Sequence, residues 1–221
     1  MKRIFLTVGA ILAGICLVEA QNCTYYFPVK VGASLVTKHY NDKDKLTSTT
    51  KSKVTEQTGN KVKFKAESYD SKDKLLSSGN YEVRCENNEF VMDMNSYFNT
   101  DAYKNMEVKV DSKAMSIPSS LNAGQKLNDG EINVTISNPG MNMTISTKIT
   151  NRKVEALEEI TTPAGKYKCA KITYDIETKM GMVIKTKGVE WISQKVGIVR
   201  SEAYDQKGKL MSYSVLSSFT E

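Results

Sequence analysis

Three pairs of methionines are the residues of this sequence best suited to binding chemistry. One residue separates the members of each pair, so in an extended strand both thioethers project from the same face. Such pairs suit a soft ion such as Cu(I) or Ag(I), a pliable lining for a lipid, or ordinary core packing. We predict a lining, with core packing as the alternative, and add the single tryptophan. The predicted ligand-lining residues are Met92, Met94, Met141, Met143, Met180, Met182 and Trp191.

Motifs for catalysis are missing from the sequence. His39 is the single histidine, and it precedes a predicted turn with no nucleophile motif such as GxSxG nearby. Gly124 and Gly130 lie too far apart for a phosphate-binding glycine loop. A pair of catalytic carboxylates stays open, because such a pairing is spatial. We predict no catalytic residue, no enzyme activity, no cofactor and no metal site.

Three cysteines follow the N-terminal apolar stretch, namely Cys23, Cys85 and Cys169. An oxidising compartment favours a disulfide, but three pairings exist and spacing does not choose among them. We predict a Cys23–Cys85 disulfide that ties the N-terminus to an early strand, and three buried free thiols remain the alternative. The sequence contains no CxxC motif, which disfavours zinc.

The first twenty residues have the pattern of an export signal. Lys2 and Arg3 precede an apolar run, and a small-residue cleavage site ends at Ala20. The run is too short for a membrane span of roughly 20 residues. Cys16 follows Ile15, where a lipobox requires Gly or Ala, so we predict ordinary cleavage. An uncleaved anchor and a lipoprotein are the alternatives.

We predict that cleavage leaves a single all-β domain over residues 21–221 that does not span the membrane. Its predicted location is the periplasm, with secretion or outer-membrane association as alternatives. The formal net charge of the whole chain is +6, and charges of both signs are interspersed. No block of like charge indicates binding to nucleic acid.

A turn sequence that occurs three times indicates how these residues are positioned. Its copies span residues 40–48, 69–77 and 204–212. In each copy Asp or Asn opens a type I turn, because its side chain can accept a hydrogen bond from a backbone N–H two residues on. Asp44, Asp73 and Gly208 then suit the left-handed position of a hairpin with a G1 bulge.

The remaining sequence alternates apolar and polar residues with the period of β-strands. A slip in this alternation, from Tyr167 and Cys169 to Ala170 and Ile172, predicts a β-bulge near Cys169. No long amphipathic helix is indicated. We therefore predict an all-β fold, an antiparallel meander of hairpins curled into a β-roll or half-barrel with little helix.

Residues 151–155 and 158–169 resemble the signature of the TapB family, a group of uncharacterised exported bacterial β-proteins found largely in the Bacteroidetes. The spacer from Ile117 to Asp129, Trp191, residues 196–200 and the last hairpin also match. The resemblance covers most of the chain, and its motifs specify backbone shape. It implies a fold similar to the LolA/LolB lipoprotein carriers, which hold acyl chains in an apolar half-barrel.

The combined prediction is an exported, non-catalytic module whose concave apolar face binds a lipid or another hydrophobic ligand. The alternative is a structural or assembly protein that pairs with envelope proteins through exposed strands. The predicted partners are accordingly a hydrophobic ligand or an envelope protein.

Overall fold

The computed structural model describes residues 25–92 and 106–221, and Met141 by its backbone alone. Because residues 1–24 lie outside this range, it contains neither the predicted export signal nor Cys23. The strands are β1 (Ser34–Asn41), β2 (Leu46–Thr58), β3 (Lys61–Asp70), β4 (Leu75–Glu86), β5 (Glu89–Met92), β6 (Glu107–Lys113), β7 (Met115–Pro118), β8 (Gly130–Asn138), β9 (Met141–Thr162), β10 (Gly165–Met180), β11 (Met182–Ser193), β12 (Gly197–Tyr204) and β13 (Leu210–Thr220).

All of these strands belong to one antiparallel sheet, which confirms the predicted all-β class. The order across the sheet is β6-β8-β9-β10-β11-β12-β13-β1-β2-β3-β4-β5-β7. The two edge strands, β6 and β7, are joined by Ala114 alone, so the sheet curls into a nearly closed, barrel-like shape. No helix long and apolar enough to cross a membrane occurs in the described part of the chain.

The three copies of the repeated turn lie side by side, because β12, β13, β1, β2, β3 and β4 are consecutive in the sheet. Asp70 Oδ1 accepts hydrogen bonds from the backbone N–H groups of Lys72 and Lys74, at 2.8 and 2.9 Å. Asn41 and Asp205 accept the equivalent pairs. These bonds hold the pKa of the Asp70 carboxyl below its usual value.

The left-handed positions of these turns are also as predicted. The φ angles are 57° at Asp44, 60° at Asp73 and 81° at Gly208. Neighbouring turns are linked as well, since the Tyr213 hydroxyl donates to Asp44 Oδ1 at 2.9 Å. Local turn chemistry therefore sets the register of these three hairpins.

Two buried clusters face each other across the interior of the curled sheet. One cluster includes Val154, Ile172 and Ile192, and the other includes Phe64 and Phe90. Phe27 and Ile117 pack against both clusters. The Phe27 ring is stacked on Phe90 at 4.7 Å between centroids and meets Phe64 edge-on at 6.1 Å. The N-terminal segment thus fills the centre of the molecule.

The bulge predicted near Cys169 is not in β10. The slip in the alternation has another cause, a third buried cluster on the opposite face of the sheet. Strand β10 pairs with β11 in unbroken register from Cys169 to Met180, and the register with β9 slips between Lys171 and Ile172. Cys169 and Ala170 are both buried because the two faces of β10 meet different cores. Cys169 packs in the cluster with Trp191 and Leu216, whereas Ala170 packs with Ile172.

Replacing Gly208 by Ala is expected to lower the free energy of unfolding by about 1 kcal/mol, because the left-handed backbone disfavours a Cβ. A Cβ at Gly208 would meet nothing within 4 Å, so the cost comes from the backbone alone. Asp73→Gly at the equivalent position is expected to raise the free energy of unfolding by roughly 0.5 kcal/mol. Urea denaturation measures both, and shifts of the same sign would contradict the assignment of the turn.

Candidate functional site

An apolar surface extends from the core along the inner face of β8 to β11. In the unbroken β10–β11 pairing, Ile172 lies opposite Glu190, Ile176 opposite Thr186, and Met180 opposite Met182. Even-numbered residues of both strands therefore share the face of the buried Ile172. Residues of β9 join them through the pair Ile149–Ile176. We call this surface the inner apolar strip: Met143, Ile145, Ile149, Ile176, Met180, Met182 and Ile184.

Burial decreases along β10 and β11 towards the outer end of the strip, whereas Val134 and Ile136, which pair with Ile145 and Met143 on the same face, are buried. Ile172, where the strip leaves the core, is fully buried. Ile145, Ile149 and Ile176 are partly buried. Met180, Met182 and Ile184 are 50%, 70% and 48% exposed. The strip thus offers apolar side chains to a ligand along a path that begins at the core.

A polar group lies at the core end of the strip. Arg152 is buried, and its Nη1 donates hydrogen bonds to the backbone oxygens of Ser116 at 3.2 Å and Asn128 at 2.7 Å. Among the described residues, no hydrogen bond or ion pair reaches the carboxylate of Glu190. Burial raises the pKa of the Glu190 carboxyl, and the charge of Arg152 opposes that shift.

Tyr174 lies beside Glu190 at this polar end of the strip. Its ring lies over Gly188, where a Cβ would come within 2.2 Å of the ring carbon Cε2. Burial raises the pKa of its hydroxyl, and so does the charge of Glu190. Glycine at this position therefore leaves the space that the ring occupies.

A bulge in β9 directs Arg152 inward. Asn151 has a φ of 56°, and the register between β9 and β10 shifts between Thr173 and Asp175. Asn151 Nδ2 donates to Asp175 Oδ2 at 2.8 Å, which stabilises the bulge. The extra residue lets Ile149 and Arg152 face the same side despite opposite parity. Arg152 and Glu190 were not predicted from the sequence, although Glu190 has the same parity as the inward-facing Ile192.

The structure brings together some of the predicted lining residues and not others. Met143, Met180 and Met182 lie on the strip, and the Met141 backbone pairs at the same end of β9. Met92 packs instead against the cluster of Phe64 and Phe90. Met94 lies outside the described residues.

Trp191 lies on the face of β11 opposite the strip. Its Nε1 donates to Glu158 Oε1 at 2.5 Å. Lys171 and Arg200 lie over its ring at 5.3 and 5.8 Å from the centroid. These contacts hold the indole within the third cluster.

A second concavity, a groove of about 770 Å³, lies beyond the opposite end of the core. Its wall includes the apolar Leu157 and Ile192, the charged Glu158 and Lys168, and the thiol of Cys169. Desolvation, with a further contribution from Glu158, raises the pKa of that thiol to about 11. A thiol that stays protonated at neutral pH is a poor nucleophile, so the groove does not contain an activated cysteine.

Two other residues considered for chemistry, Cys85 and His39, have structural partners. Cys85 is disulfide-bonded and Cys169 is free; the pairing with Cys23 stays a prediction. His39 Nε2 lies 3.0 Å from Thr50 Oγ1, and burial lowers the pKa of the imidazole. Within residues 25–92 and 106–221, no group of three or more His, Cys, Asp or Glu side chains is placed to hold a metal ion.

Comparison with known proteins identifies a family and similar solved structures, two of which are described below. A family model described as DUF3108-like matches residues 30–216. A candidate lipoprotein from Parabacteroides distasonis is 27% identical, with a TM-score of 0.74. A candidate exported protein with a YmcC-like fold from Bacteroides fragilis is 29% identical, with a TM-score of 0.71. Both similarities cover 90% of this chain and 100% of the other chain. No curated protein matches the chain.

The thiol of Cys169 is expected to react slowly with iodoacetamide in the folded protein at pH 8. Its pKa of about 11 leaves roughly one thiol in a thousand ionised at that pH. The alkylation rate is expected to rise about tenfold per pH unit up to pH 11. Mass spectrometry of the tryptic peptide measures this rate.

The same shift predicts a fall in stability at alkaline pH. The unfolded thiol ionises first, near its ordinary pKa of 9, so the contribution of Cys169 is present below pH 9 and is lost as the pH rises towards 11. Cys169→Ala serves as the control, because it lacks this dependence. Alkylation at pH 8 as fast in the folded as in the urea-unfolded chain would contradict the assignment.

Proposed function

The chain belongs to the DUF3108-like family, and from this premise we propose that it is an exported envelope protein that holds a hydrophobic ligand on the inner apolar strip. The names of the two solved relatives, a candidate lipoprotein and a candidate exported protein, support export to the envelope. We propose the periplasm as its location. Within this proposal, the chain is a member of the TapB family and its fold is similar to that of the LolA/LolB carriers. We propose no catalytic role.

The observation that carries the proposal is the exposure of the β10 and β11 end of the strip on the concave side of the sheet. Met180 and Met182 belong to the same face as the core residue Ile172 and yet are at least half exposed. A soluble protein seldom leaves such a row uncovered unless something binds there. Methionine and isoleucine side chains suit a flexible acyl chain, because methionine adapts its shape to the ligand.

The polar end favours an amphiphile as the ligand. An acyl chain lying along Ile176 and Ile149 would direct its head towards Glu190 and Tyr174. The Glu190 carboxylate, with its raised pKa, can accept a hydrogen bond when ionised and donate one when protonated. A head group with hydroxyl or amine donors therefore fits this end better than a second carboxylate, which Glu190 would repel.

An assembly role is the second candidate, and one edge of the sheet favours it. Strand β12 pairs with β11 only from Lys187 onwards. Among the described strands, only β10 pairs with residues 182–186. An exposed apolar edge of this kind can accept a strand from another protein. The opposite edge, β6, is less suitable, because its exposed positions carry Glu107, Lys109, Asp111 and Lys113.

Replacing Met143 by Asp is expected to abolish ligand binding without loss of folding. A carboxylate at this position would have to be desolvated against the ligand, which should weaken the affinity for cis-parinaric acid by at least about tenfold. Met211→Asp is the matched control, since Met211 is a 47% exposed methionine on β13, away from the strip. Parinaric acid fluorescence measures the affinity, and native mass spectrometry of detergent-free protein tests for a co-purified lipid.

The outcomes separate the two candidate functions. A co-purified lipid on the wild type and on Met211→Asp, absent from Met143→Asp, is the expected result. Full binding by a folded Met143→Asp protein would overturn the assignment of the strip. A bare polypeptide mass, together with a stable complex with an envelope protein, would favour the assembly role.

A further inference from the structure

We infer that the β10–β11 hairpin tip, residues 178–186, inserts into the surface of an anionic lipid bilayer. The tip exposes apolar side chains on both of its faces. Met182 and Ile184 project on the side of the strip, and Val183, which is 51% exposed, projects on the opposite side. A binding surface for a ligand needs one apolar face, whereas a segment that enters the bilayer interface can use apolar side chains on both faces, with lysines beside them.

The tip also projects beyond its neighbours on one side. The pairing of β11 with β12 ends at Lys187 and Tyr204, whereas the pairing with β10 continues to Met182. Residues 182–186 therefore extend past β12 by roughly 16 Å, at about 3.3 Å per residue. This length exceeds the roughly 5–10 Å depth at which interfacial segments lie. The tip can therefore reach lipid together with the β8–β9 hairpin, which extends further on its other side.

The charges around the tip match an anionic surface. Residues 178–186 contain Lys179 and Lys185 and no acidic residue. The neighbouring β8–β9 hairpin contains no charged residue from 132 to 147, in a chain of which 25% is charged. Lys185 lies 3.0 Å from Glu177, and both side chains are about half exposed. The nearby acids are Glu177 and Glu131, which alternate with Lys185 and Lys148 across β8 to β11, so Lys179 carries the unbalanced charge next to the tip. Lysines that flank an apolar tip are typical of segments that bind anionic lipid.

Another hairpin of the same sheet provides an internal contrast. The β3–β4 hairpin exposes Leu75 and Leu76 to a similar degree. Its turn, however, carries Asp70 and Asp73 together with Lys72 and Lys74, so its charges balance. Exposed apolar residues next to acidic groups are disfavoured at an anionic surface. This hairpin is therefore the natural control.

The test is co-sedimentation of the purified full chain with vesicles of phosphatidylethanolamine and phosphatidylglycerol. The tip variant is Lys179→Gln/Val183→Ser/Lys185→Gln. These three side chains face away from the inner apolar strip, so the variant leaves the strip intact. The control variant is Lys72→Gln/Lys74→Gln/Leu75→Ser. We expect the tip variant to bind at least tenfold more weakly and the control to bind like the wild type. Vesicles of phosphatidylcholine alone should bind the wild type weakly.

A second variant keeps the test independent of any loss of folding. Val183→Trp places an indole at the tip, and the one other tryptophan, Trp191, is buried. Its emission should shift to the blue when phosphatidylglycerol vesicles are added. No sedimentation of the wild type, or equal binding by the tip variant, would overturn the inference. The native mass result of the tip variant reports separately on the strip, so failure of one proposal is distinguishable from failure of the other.

Discussion

The packing of Phe27 between the two halves of the curled sheet is the contact on which the rest of the structure depends. A sheet with this many strands has to curl or split to bury an apolar face. Here it curls around a segment outside the sheet, and Phe27 reaches both inner clusters. Because β6 and β7 are joined through Ala114 alone, this curl also brings the two edges of the sheet together. The interior is thus a filled core in the middle, with the long strands β9, β10 and β11 leading out of it.

The long strands β9, β10 and β11 run from the buried core to an exposed outer end. Near Ile172 both faces of β10 are covered, one by the inner cluster and the other by the cluster of Cys169 and Trp191. Towards Met180 the cover ends while the apolar alternation continues. The same pattern of side chains that builds the core therefore becomes an exposed surface without any change in secondary structure. This continuity is why the strip and the hairpin tip are candidates for binding and why the core residues are not.

The charged residues next to the core set the character of the site. Arg152 is buried with two carbonyl acceptors, and its positive charge offsets part of the cost of burying Glu190. Tyr174 depends on Gly188 for its position. The strip has polar groups at its core end and methionine thioethers at its exposed end. This arrangement suits an amphiphile that enters from a membrane and moves towards the core.

The sequence alone determined the features that depend on neighbours in the chain. Side-chain acceptors and left-handed positions at Asp73 and Gly208 are local properties, so the hairpins and the all-β class were predicted correctly. Alternation also placed Met143, Met180 and Met182 in strands. Only the tertiary structure decided which face of each strand is covered, because that depends on segments distant in sequence. The tertiary structure placed Met92 in a core and Trp191 on the face opposite the strip. It buried Cys169 and Ala170 on two different faces of β10. It also brought Arg152 towards Glu190 through a bulge, and no local pattern identifies the partner strand of that bulge.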